Sequence, residues 1–360
     1  MNLCIFVGYS NQIPIFLGLF GKENLIYESK FDASDFDSNS KQFYFHKNLN
    51  TKFVFYRTES DYLNESDSFF SAFEKIIVII ENIKAFHTIK RTNELINCKK
   101  MFIWHYAEVF EKGFIKDIEN INYDLIYSGS KRPELEINDN FILDLELPFR
   151  YFRYYIGYVW LEGLLKNMEI PKYNKNVSKL FSYVRAHANS SWRTDFIKGI
   201  NGLELLLSKK DSANDAYDLL YPKYKHFEAI NDYLYCNFNL IFETLNPANT
   251  TECFITEKTF KGLFFGKPFL LVTSEVILNY LKNRGYYLLN FEFKDTITSY
   301  QDVKQSIKNF TDWIQSASED EIENKYNEFL NKSINNRKIL FEYLNDYSQS
   351  EKIFTKLLNE

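Results

Sequence analysis

Apolar residues along this chain fall into short unbroken runs separated by longer amphipathic stretches, a pattern of buried strands alternating with helices. LCIFVG at 3–8 is one such run, ended by Gly8 and a polar turn. KFVFYR at 52–57 is another, and KIIVIIEN at 75–82 fits either a strand or a buried helix. KKMFIWHYAEVF at 99–110 starts as a strand and runs toward a turn at Gly113; after a short helical pattern, YDLIYSGS at 123–130 is a further strand. Strand, helix and strand at this spacing predict parallel pairing with crossover helices. The aromatic segment 149–168 has helical spacing, and the polar stretch MEIPKYNKNVSK that follows, with Pro171 and two asparagines, marks a domain boundary.

The pattern then restarts. KLFSYVRAH at 179–187 reads as a strand, RTDFIKGINGLELLL at 193–207 as an amphipathic helix, and YLYCNFNLIFET at 233–244 as one or two strands. Next come a short helix from Thr256, the strand KPFLLVTS at 267–274, the helix EVILNYLKNRG at 275–285 and the strand YYLLNFEF at 286–293. From Asp302 the spacing is helical almost to the end. The expected fold is therefore α/β: one domain over 1–170, a second over 176–300, and a helical C-terminal extension over 301–360.

The short helix carries the most explicit local signals. Thr256 suits the N-cap, Glu257 and Lys258 the first turn, and Gly266 the left-handed position after the last turn. Phe260, Leu263 and Phe264 share one face, and Pro268 stands where a strand tolerates a missing donor. In a parallel α/β sheet such a helix start lies at the carboxyl ends of the strands, where backbone N–H groups and the helix dipole favour an anion such as a diphosphate. The competing reading is a solvated face on which Glu257 pairs with Lys261.

Composition narrows the classes. The net charge is −5 and no Lys/Arg block is present, which argues against a nucleic-acid partner. The four cysteines (Cys4, Cys98, Cys236, Cys253) form no CxxC pair, and the five histidines have no ligand spacing with them, so a zinc site is not expected and buried thiols are. The N-terminal MNLCIFVGYSNQIPIF resembles a first strand more than a signal peptide, and no run of 18 apolar residues occurs; a soluble, cytoplasmic protein is the expectation, with contact at a membrane surface left open.

The segment FETLNPANTTECFITEKTFKGLFFGKPFLL resembles the donor-binding motif of the α-1,3-fucosyltransferase family, in which a Phe–Glu pair precedes a Thr–Glu–Lys helix start, a glycine and a proline-led strand. The upstream SKLFSYVRAHANSSWRTDFIKGING is similar to that family's strand, arginine and helix arrangement, and the likeness spans about residues 178–292. The chain departs from the family in the TF after TEK and in FETLNP where the family has Phe–Glu–Asn. The resemblance implies two Rossmann-like domains of the glycosyltransferase B architecture. It implies an inverting, metal-independent transferase that moves a sugar, fucose from a guanosine donor among the choices, to a glycan or surface polysaccharide. Carried over by position, Arg193 and Lys258 would neutralise the diphosphate, Glu257 would hold the ribose, Glu243 would line the sugar pocket, and Thr256, at the helix start, would belong to the same donor-binding set. No cofactor is implied.

The acceptor hydroxyl needs a general base. Glu108, in WHYAEVF at a strand exit, is the candidate, with His105 and Asp124 behind it; an ordinary helix-start carboxylate is the competing reading of Glu108. Arg185 and His187 could reach phosphate, and Arg150 and Arg153 either stack on a sugar or pack a helix. Two other functional classes stay open. Asp35 and Asp37 have the Asp-x-Asp spacing of a metal-dependent glycosyltransferase, and a nucleotide- or carbohydrate-binding protein without catalysis would keep the same donor motif.

Overall fold

The structure is a computed structural model of the 360-residue chain, and it describes residues 1–7, 12–27, 41–56, 58–80, 86–104, 123–131, 139–155, 170, 172–176, 180–183, 205–207, 236–243, 253–289 and 300–360. Glu108, His105, Arg185, His187, Arg193, Asp35 and Asp37 lie outside the described residues. The fold is α/β. The chain divides into two compact units, Met1–Tyr155 with Leu344–Glu360, and Ile156–Tyr343.

The first unit is built on an eight-stranded sheet. Its strands are β1 (Asn2–Val7), β2 (Leu25–Tyr27), β3 (Lys41–His46), β4 (Thr51–Tyr56), β5 (Ile76–Ile80), β6 (Cys98–Trp104), β7 (Leu125–Ser128) and β8 (Phe141–Leu143). They lie in the order β2-β3-β4-β1-β5-β6-β7-β8; β4 through β8 pair in parallel, while β2 and β3 add an antiparallel edge. KIIVIIEN is thus a strand, and its five buried residues show why its pattern does not alternate: both faces of the sheet are covered.

Alternation along β1 divides the core. Cys4 and Phe6 face one layer, while Leu3, Ile5 and Val7 face the other. The first strand ends at Val7, next to the Gly8 expected to end it, and helix α1 (Gln12–Phe20) closes the first layer with Phe16, Leu19 and Phe20. The last helix of the chain (Ser348–Asn359) adds Ile353, Phe354 and Leu357 to the same layer, with the Phe20 and Phe354 rings 4.6 Å apart. None of the four cysteines is in a disulfide, and burial pushes the Cys98 thiol up to about 12.

The second unit holds a four-stranded parallel sheet of β9 (Leu180–Tyr183), β10 (Leu205–Leu207), β11 (Phe238–Phe242) and β12 (Phe269–Val272), in the order β10-β9-β11-β12. The helix expected over 193–207 is corrected at its end: Leu205–Leu207 pairs in parallel with β9 as a strand, since a short run of consecutive apolar residues fits a parallel strand as well as the end of a helix. The strand expected at 286–293 is also corrected over 286–289, which is irregular. There the Tyr287 N–H donates to Asn336 Oδ1 at 2.6 Å, and Asn336 Nδ2 donates to the Tyr287 carbonyl at 2.7 Å. A side chain thus takes the hydrogen bonds a neighbouring strand would have taken. Among the described residues no helix is long and apolar enough to cross a membrane.

Candidate functional site

The helix of the TEK segment, Glu257–Phe265, connects the carboxyl end of β11 to the start of β12. Thr256 is its N-cap, in extended conformation with a hydroxyl that accepts from the Lys258 N–H at 3.3 Å, as the sequence signals indicate. Gly266 ends it at φ 65°, where a side chain would strain the backbone. Gly262 lets the helix lie close on the sheet, since a Cβ there would sit 2.5 Å from Ile241 Cδ1. The helix does not present a solvated face. Lys258 through Phe265 are all buried, Lys261 among them, which overturns the surface-pair reading.

Its position follows from the topology. The sheet order places strands first, second, third and fourth in chain sequence as second, first, third, fourth, so the order reverses between β9 and β11. In open parallel sheets that crevice, beyond the carboxyl ends, is where ligands bind. Glu243 follows the last residue of β11, and its N–H donates to the Val272 carbonyl at 3.0 Å.

Glu243 is 1% exposed, and both of its carboxylate oxygens are engaged by the start of the helix. Oε1 accepts from the Thr256 N–H at 3.1 Å, from the Thr259 N–H at 3.3 Å and from the Thr259 hydroxyl; Oε2 accepts from the Thr256 hydroxyl at 2.5 Å. A buried carboxylate is held by donors and by the positive end of the helix dipole. The arrangement is a capping box whose carboxylate comes from a neighbouring strand instead of the third helical residue, where Thr259 stands. Three of the N–H groups expected to receive an anion are therefore already bonded within the protein.

What remains beside them is charge. Lys258 is 6% exposed, and its Nζ lies 3.0 Å from Glu257 Oε1 and 3.4 Å from Thr256 Oγ1. Thr256, Glu257, Lys258 and Glu243 are thus brought together. The helix is locked at its other end by Arg337, whose Nε donates to the Phe264 carbonyl at 2.9 Å and whose Nη2 donates to the Phe265 carbonyl at 2.8 Å. This completes the last turn's unmet acceptors with a cation suited to the dipole.

The other described candidates have structural partners. Asp124 Oδ2 accepts from the Lys100 N–H at 2.6 Å at the amino end of β7, the edge opposite to the one where parallel sheets bind ligands. Arg150 Nη1 donates to Ser350 Oγ at 2.9 Å, and Arg153 Nη1 donates to the Leu344 carbonyl at 2.9 Å, so both pack a helix against the chain's end. Thr259 and Arg337 escaped the sequence reading. Thr259 had one signal: a threonine at the position where a capping box carries Glu or Gln means the carboxylate must come from elsewhere. Arg337 had none, being 71 residues beyond Gly266.

In comparisons with known proteins, no family model matches the chain and no curated protein matches it.

Proposed function

We propose that this protein is a glycosyltransferase that moves a sugar from a nucleoside-diphosphate donor, a guanosine-linked fucose among the candidates, to a glycan or surface-polysaccharide acceptor. In this reading its two units are Rossmann-like, as in the glycosyltransferase B architecture, and the second binds the donor. The observation that carries it is the Thr256–Glu257–Lys258 turn, which stands at the carboxyl end of a parallel sheet beside its reversal of strand order and is anchored there by Glu243.

The chemistry follows from that placement. When the bond between the sugar's anomeric carbon and the phosphate oxygen breaks, the nucleoside diphosphate leaves with additional negative charge. Lys258 exchanges its Glu257 partner for the diphosphate and stabilises that charge; Glu257 is released to accept from ribose hydroxyls. Glu243 positions this turn. Arg193 adds a second cation by resemblance to the family, and Glu108 takes the proton of the acceptor hydroxyl as the new carbon–oxygen bond forms.

Donor turnover tests the proposal. With GDP-fucose and UDP-sugars and a panel of oligosaccharide acceptors, nucleotide release is expected from one donor without added Mn²⁺ or Mg²⁺, and Lys258→Ala should lower it by about 10²–10³-fold. Turnover that is unchanged in the variant would overturn the assignment of Lys258. Binding of a nucleotide with no turnover of any donor would make the protein a binder.

A further inference from the structure

Among the described residues, two helices begin at the carboxyl edge of the second unit's sheet, and they begin differently. At Glu257–Phe265 the N–H groups of Thr256, Lys258 and Thr259 are bonded and the dipole is answered by the Glu243 carboxylate. The helix Glu275–Asn283 starts two residues beyond the end of β12, at Ser274. With φ −69° and ψ 153°, Ser274 has the backbone of an N-cap, yet its side chain makes no cap hydrogen bond. Its Oγ is buried with no hydrogen-bond partner among the described residues, and the residue is 1% exposed. A buried hydroxyl in that condition is costly unless something absent from the chain itself completes it. Glu275, the acidic residue of the first turn, is turned along the helix, where Oε1 accepts from Asn279 Nδ2 at 3.4 Å.

The two starts share one edge. β11 and β12 are neighbours in register, Phe242 opposite Val272, and the Glu243 N–H meets the Val272 carbonyl at 3.0 Å. Ser274 and Glu243 therefore leave the sheet from adjacent strands. One start supplies a lysine, and the other supplies an uncapped helix end with a hydroxyl donor.

We propose that the start of Glu275–Asn283, with Ser274 Oγ as donor, is a phosphate-binding point. It takes a phosphate oxygen of the diphosphate whose charge Lys258 meets. The inference rests on the nucleotide-sugar reading for the identity of that diphosphate. The positive end of the helix and its first-turn N–H groups supply the attraction, and the phosphate supplies the acceptor that Ser274 lacks.

The test is titration of the full chain with inorganic pyrophosphate and with GDP and UDP, for the parent, Ser274→Ala and Ser274→Asp, with thermal midpoints recorded. Ser274→Ala should weaken pyrophosphate and the preferred nucleotide about tenfold while the midpoint holds or rises, because an unmet buried hydroxyl is removed. Ser274→Asp should raise the midpoint by capping the helix, yet abolish binding by repulsion. If the parent binds a nucleoside diphosphate, Lys258→Ala weakens it and Ser274→Ala does not, this inference falls and the nucleotide reading stands. If pyrophosphate binds and depends on Ser274 but no nucleotide binds, the phosphate point stands and the nucleotide-sugar reading falls. If neither binds, both fall.

Discussion

A carboxylate at 1% exposure is stable only where donors surround it, and at Glu243 they come from Thr256 and Thr259. Removing the carboxylate leaves those donors buried and unmet, so Glu243→Ala should destabilise the protein by about 3 kcal/mol; Thr259→Val, which loses one hydroxyl, should cost about 1 kcal/mol. Urea unfolding measures both. Lys267 gives a pH test. Its Nζ donates to the Cys236 carbonyl, and burial lowers its pKa from the ordinary 10.5 to about 8. Below pH 8 folded and unfolded chains both carry the proton, and the folded state bears the cost of a buried ammonium. Between pH 8 and 10.5 the unfolded chain binds the proton and the folded chain does not, so stability rises with pH there. Relative to Lys267→Met, the parent should therefore gain stability across that window, measured by denaturation at stepped pH. A constant difference would show that Lys267 is not desolvated.

At the scale of elements, the helix Glu257–Phe265 is fixed at both ends, by Glu243 at its start and Arg337 at its finish. Arg337→Ala should cost about 2 kcal/mol, since two buried carbonyls lose charged donors, and Gly266→Ala about 1 kcal/mol through its left-handed backbone. Thermal melts would check both. This helix was legible because its cap, apolar face and terminal glycine are all local. In the first unit β1, β4, β6 and β7 were legible as apolar runs for the same reason and β5 as a run fitting strand or helix, whereas β2 and β8, three residues long, and β3, with polar residues at its ends, carry no such run. Leu205–Leu207 and residues 286–289 were misread because each was decided by a distant partner, β9 in one case and Asn336 in the other. The site was legible as residue types, but not as bonds. TEK marks the turn, whereas the direction of the Glu243 carboxylate depends on a helix that begins 14 residues later.

On the scale of the whole molecule, the chain's ends meet in one core. Phe354 is fully buried against Phe20 and Phe53 in the first unit, although it lies 301 residues beyond Phe53. Phe354→Ala should therefore cost about 3–5 kcal/mol in chemical denaturation; a loss below 1 kcal/mol would mean that the last helix is not part of that core. The second unit carries the functional claim, that a turn holding Lys258 at the sheet's carboxyl edge receives a diphosphate. Calorimetric titration with GDP, UDP, ADP and CMP, on the parent, Lys258→Ala and Lys258→Gln, tests it most directly. The account predicts that one nucleoside diphosphate binds selectively over the monophosphate, and that both substitutions weaken it at least about tenfold, because glutamine keeps the hydrogen bonds and loses the charge. Equal binding by parent and variants, or no binding of any nucleotide, would contradict it.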